Sequence, residues 1–200
     1  MFRPTHVRRA LLAATAAVVL SVAAGCGGTE HSAGHPAAHH SAAAAAGHNA
    51  ADVMFAQMMI PHHRQAVEMA ELAPSRASSR QVVDLAARIA GAQDPEIRTM
   101  SSWLRSWGEA VPSPDAGDHD MAMADGMMSD GDMAKLKAAR GREFDAMFAR
   151  MMIAHHQGAI AMARDEAADG RYPKATSLAA GIVRTQSAEV TTLKGLAGDR

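Results

Sequence analysis

The sequence predicts an all-α protein, a four-helix bundle built from two repeated helical hairpins. Three observations predict it. A stretch from Asp52 to Ala73 is matched by a second from Asp145 to Glu166, at a constant offset of about 93 residues, and both centre on Met-Met-Ile-x-His-His. A self-match at fixed offset marks a duplicated unit. Apolar residues recur at helical spacing in four long segments, two in each half. The apolar bulk is Ala, Met, Leu, Val and Ile, with 15 Met and only 4% aromatic residues, a composition that favours helix over sheet.

At 200 residues and 48% hydrophobic content the chain can bury a substantial core. A net charge of -1 gives no basic footprint for nucleic acid. The N-terminus reads as an export signal over residues 1–25. Arg3, Arg8 and Arg9 form a positive region, Leu11 to Val22 a short apolar run, and Ala23-Ala24-Gly25 a small-residue site before Cys26. The apolar run is short for a membrane-spanning helix. The stretch resembles a bacterial lipoprotein signal, which implies that Cys26 is lipidated and holds the chain to the membrane, on the outer face of the cell membrane or in the periplasm. Ala23 departs from the Leu or Val usual at that position, and an ordinary signal peptide with an incidental cysteine is the alternative. No other cysteine exists, so a disulfide and a thiolate metal site are both excluded from the mature chain.

Residues 26–50 are Gly, Ala, Ser and His, including His31, His35, His39, His40 and His48. This composition reads as a flexible tether whose His either capture metal loosely or are incidental. The duplicated domain spans 51–198. Its first helix is expected over Asp52 to Ala73, where Phe55, Met59, His62, Ala66 and Met69 alternate steps of four and three as one buried stripe. Asn49 or Asp52 can cap its start. Pro61 predicts a kink, though its repeat partner is Ala154. Pro74 and Ser75 should end the helix. A second helix is expected over 77–107, with the stripe Val82, Leu85, Ile89, Gln93, Glu96, Met100, Trp103 and Trp107. Residues 115–133 are rich in Asp, Gly and Met, among them His119, Met121, Met123, Met127, Met128 and Met133. They show no core pattern and read as the loop between the repeats. A third helix is expected over 132–168 and a fourth over 174–197, with the stripe Leu178, Ile182, Gln186, Glu189, Leu193 and Leu196. Two hairpins, each burying one face, dock most simply as a bundle.

Helical spacing also pairs thioethers with imidazoles. Met58 with His62, Met59 with His63, Met151 with His155 and Met152 with His156 stand one turn apart on shared faces. Such pairs suit Cu(I), whereas Mg(II) and Ca(II) prefer oxygen. His62 and His155 fall in the apolar stripes and face the interior. Gln93 and Gln186, with Glu96 and Glu189 a turn further on, lie on facing stripes and could orient a ring nitrogen. The same residues also fit a plain core, in which His is satisfied locally and Met fills space. His-rich and Met-rich segments in one exported chain favour metal.

The pattern Asp-x-x-Phe-x-x-Met-x-x-x-His-His-x-x-Ala-x-x-Met-Ala, followed by a helix with Gln-x-x-Glu, occurs twice and resembles the family of domain of unknown function 305. The resemblance covers about 52–197. It implies a ferritin-like four-helix bundle in an exported protein and, in some members, periplasmic copper binding linked to copper resistance. The matching positions are Asp52, Phe55, Met58, His62, His63 and Met69, then Asp145, Phe148, Met151, His155, His156 and Met162. The expected function is extracytoplasmic copper binding, as Cu(I), for buffering, resistance or delivery. No enzyme activity and no organic cofactor are expected. The alternatives are a metal-free structural or interaction lipoprotein and a ferritin-like di-iron oxidase. The latter needs Glu-x-x-His motifs, and Met59 and Met152 stand where those Glu would be.

Overall fold

Asn49 opens the first helix. Its side chain accepts from the Asp52 N–H at 3.1 Å, and the Asp52 carboxylate accepts from the Asn49 N–H at 2.6 Å. This reciprocal cap satisfies two donors that the first helical turn leaves without partners. The computed structural model describes residues 47–113 and 126–198. Residues 1–25, Cys26, His31, His35, His39, His40, His119, Met121 and Met123 lie outside the described residues. Helix α1 (Ala50–Glu71) is continuous through Pro61. It stops at Leu72, before Pro74, which instead serves near the start of the short α2 (Ala73–Arg76). Ser79 caps α3 (Arg80–Trp107), which ends at Gly108 in the left-handed conformation that favours glycine. His48, at the end of the expected tether, is buried and stacks on Trp107 with centroids 4.3 Å apart.

The expected third helix is two helices. α4 (Asp130–Ala138) and α5 (Gly141–Asp169) are separated by extended backbone at Ala139 and Arg140, and Gly141 has a φ of +62°. The break lets Gly141 pair as a parallel bridge with Ala77. It also lets α4 turn Met133 and Leu136 into the core. The inter-repeat loop, expected to lack core residues, therefore contributes Met133 and the partly buried Met128. α6 (Pro173–Ala197) completes the chain as expected. α1 packs on α3, α5 packs on α6, and the hairpins meet through α1 and α5. The result is the ferritin-like four-helix architecture.

The core is two apolar clusters with a polar layer between them. One cluster gathers Phe55, Met59, Ile60, Met100, Leu104, Ala159, Ala179 and Ile182. The other gathers Met69, Leu85, Ile89, Leu136, Phe144, Phe148, Met152 and Leu193. In α1 the polar residues between them are His62 and His63, in α3 Gln93, in α5 His155 and His156, and in α6 Gln186. All six are buried.

The repeat also explains its aspartates. The Asp52 carboxylate, fully buried, accepts from the Arg171 N–H at 3.1 Å and the Tyr172 N–H at 2.9 Å. Asp145 accepts from the Ser78 N–H at 3.2 Å. Ser78 and Arg171 stand at the repeat offset, so each aspartate ties its own hairpin to the turn of the other. Glu166 is buried beside Asp52, and burial first and this neighbour second push its carboxyl up to about 8. Between its ordinary value of 4.5 and about 8, the folded chain keeps a proton that the unfolded chain has released. Stability should therefore fall as pH rises through that window and level off above it. Urea midpoints followed across the window should show this slope in the wild type and a flatter one in Glu166→Gln. Equal slopes would show that Glu166 does not titrate in this way.

Gly126 and Met128 cross the seam between α1 and α5. The Gln65 side chain donates to the Met128 carbonyl at 2.9 Å and accepts from its N–H at 2.8 Å. Gly126 has a φ of +85°, and a Cβ there would stand 2.5 Å from the Ala154 carbonyl oxygen and 3.2 Å from the Gly158 Cα. Gly126→Ala should cost roughly 1–3 kcal/mol of stability, read from denaturant unfolding. A loss below about 0.5 kcal/mol, the size of an ordinary surface change, would mean that the strap is loosely held.

Candidate metal centre

Helical period carries His62 and His155 to the middle of the bundle, one from each repeat. Their rings lie 3.7 Å apart between centroids and are 1% and 0% exposed. Both ring nitrogens of His155 lack a hydrogen-bond partner among the described residues. Burial, and then the neighbouring His62, His156 and His63, hold the His155 imidazole well below its ordinary pKa. The ring is neutral at physiological pH, the state a metal ligand requires.

His63 and His156 point to the outer helices. His63 Nε2 is 2.7 Å from Glu96 Oε2, and His156 Nε2 is 2.7 Å from Glu189 Oε2. Each carboxylate fixes one ring and leaves the other nitrogen, Nδ1, buried and without a partner among the described residues. This is how an orienting carboxylate serves a ligating histidine. The sequence placed Glu96 and Glu189 near the His pairs without showing which imidazole each would hold. The Gln93 amide, expected beside His62, is buried with no hydrogen-bond partner among the described residues.

The predicted thioethers separate. Met59 and Met152 are fully buried in opposite apolar clusters, and Met69 is fully buried with Met152. Met151 packs on the edge of that same cluster. Met58 and Met162 come together in a groove between α1 and α5, joined by Met54. Among the described residues no group of three or more His, Cys, Asp or Glu is disposed to hold a metal. The donors available at the centre are buried imidazoles, with thioethers nearby. That set fits a soft cation such as Cu(I) and does not fit Mg(II) or Ca(II).

The family profile of a domain of unknown function, number 305, matches residues 52–197. Solved structures of similar proteins have the same helical fold. A Streptomyces coelicolor protein carrying this domain, described as secreted, is 32% identical, with a TM-score of 0.66 over 73% of this chain and 91% of its own. A Deinococcus radiodurans fragment is 34% identical, with a TM-score of 0.66 over 76% and 98%. CopM in its Cu(II)-bound form is 34% identical, with a TM-score of 0.63 over 74% and 96%. CopM structures with Cu(I) and with silver also match. Among curated proteins none matches.

Proposed function

The chain belongs to the family of domain of unknown function 305, and from that premise we propose that it is an extracytoplasmic copper-binding protein that holds Cu(I) for buffering, resistance or delivery. The carrying observation is the contact between His62 and His155, two buried imidazoles from separate repeats, in a polar layer between two apolar clusters. An apolar core gains nothing from such a pair, since burying imidazole costs free energy that Leu or Met would not. The copper-bound and silver-bound forms of CopM support the choice of metal. The role is binding rather than catalysis. A di-iron oxidase is the weaker reading, because Glu96 and Glu189 are each committed to one imidazole instead of bridging two metals.

Anaerobic titration with Cu(I) against a chromogenic chelator tests the proposal. Binding of at least one equivalent, with a rise in melting temperature, is the expected result. No binding would leave the metal-free structural reading.

The anchor is a separate part of the proposal. Cys26 follows the signal-like run, so Cys26→Ser should move the protein from the membrane fraction to the soluble fraction of fractionated cells. If the exported wild type is already wholly soluble, the lipid anchor falls and the copper site is untouched.

A further inference from the structure

The two copies of the repeat carry the same three methionines, and the fold treats them differently. Met54 and Met58 of the first copy with Met162 of the second correspond, at the repeat offset, to Met147 and Met151 of the second copy with Met69 of the first. Met69 is fully buried, and Met147 and Met151 are partly buried against the same apolar cluster. That set is closed. Met54, Met58 and Met162 instead line an open groove of about 380 Å³ between α1 and α5. Met54 is 59% exposed, the only large hydrophobic among the described residues that is exposed.

The rims differ as well. Asp165 and Asp169 line the open groove. At the repeat offset their counterparts are Leu72 and Arg76, an apolar residue and a cation. Core packing accounts for the closed trio. It does not account for the exposed Met54, or for its meeting the partly buried Met58 and Met162 in a groove beside two carboxylates. Three neutral sulfur donors from two helices make a site selective for a soft monovalent ion, because hard divalent cations gain little from thioether. The carboxylates raise the local concentration of cations without needing to coordinate them.

We infer that Met54, Met58 and Met162 form a second, surface site for Cu(I), distinct from the buried imidazole pair. The inference rests on the copper reading for the identity of the metal. Its position and its donor set come from the asymmetry between the repeats. Met58 stands one turn from His62 on α1, so the groove lies on the face of the bundle that adjoins the buried pair.

Three full-length proteins decide it: wild type, Met54→Leu/Met58→Leu/Met162→Leu, and His62→Ala/His155→Ala. In anaerobic Cu(I) titration the triple variant should lose one equivalent that the double variant keeps. In wild-type protein with 13C-labelled methionine methyls, Ag(I) should shift the Met54, Met58 and Met162 resonances before those of Met147, Met151 and Met69. The NMR measurement does not depend on any variant folding. If the triple variant keeps every equivalent while the double variant loses one, the groove site is overturned and the copper reading stands. If the closed trio shifts together with the open one, the asymmetry has no bearing on metal and the inference also fails. If wild type binds no Cu(I), both readings fall together.

Discussion

Replacing His62 and His155 together with leucine should yield a protein that melts at or above the wild-type temperature without metal and has lost its tighter copper site. The two rings touch at the centre of the bundle, essentially inaccessible to solvent. Their layer lies between two apolar clusters. Leucine has a volume close to that of histidine and carries no polar atom, so it removes the desolvation cost while filling the space. Replacing buried polar groups by apolar ones of similar shape is often neutral or stabilising. The copper-dependent part of stability should vanish in the same variant. For a ligand at about 100 times its dissociation constant that part is about 2.7 kcal/mol. His62→Ala/His155→Ala should lose the same copper site but also destabilise the apo protein, because alanine leaves a cavity. Thermal melts with and without Cu(I), beside a stoichiometry titration, separate these effects. Unchanged stoichiometry in the leucine variant would make the imidazoles core residues only and shift the metal to the methionines.

That contrast shows how far the sequence could be read. The bundle, the hairpins and the inward His62 and His155 were legible because a helical period assigns a residue to a face and the repeat confirms the assignment. Period does not give depth along the axis. It could not show that Met59 and Met152 would lie in opposite clusters on either side of the imidazole layer, nor that Met58 would meet Met162 across two helices. The break between α4 and α5 was hidden for another reason. Lys137, Ala138 and Ala139 favour helix, and the chain departs from it to meet Ala77, far away in sequence. The partners of Asp52 are backbone N–H groups more than a hundred residues on, which no local pattern encodes. The 93-residue offset held a usable signal here. Ser78 and Arg171 occupy equivalent places, so a contact of one aspartate implies the other.

Asp52→Ala should be the most damaging single change in the bundle, with a loss on the order of 3–5 kcal/mol, because it leaves three backbone N–H donors without their acceptor, each costing roughly 1–3 kcal/mol where buried. The carboxylate is fully buried. It accepts from three backbone N–H groups, those of Asn49, Arg171 and Tyr172. Hydrogen bonds to a charged acceptor contribute more than neutral ones, and each donor left without a partner in the interior adds its own desolvation cost. The change also removes half of the cap of α1 and unties the first hairpin from the turn between α5 and α6. Asp145→Ala breaks the equivalent clamp at an exposed site on Ser78. There water can replace the lost acceptor, so a loss of about 1 kcal/mol is expected, typical of an ordinary hydrogen bond. The asymmetry between the two variants, more than either value, is the test. Urea unfolding of both would show it, and equal small losses would mean that the Asp52 bonds are not what joins the hairpins. Copper stoichiometry should be unchanged in Asp145→Ala and in whatever fraction of Asp52→Ala remains folded. A loss of copper by folded Asp52→Ala would instead assign this carboxylate to the metal. Glu166 gives an internal control. Without the Asp52 carboxylate beside it, burial alone is left to raise its pKa, so the fall in stability with rising pH should begin at the same pH as in wild type, the ordinary carboxyl value, but end at lower pH in Asp52→Ala.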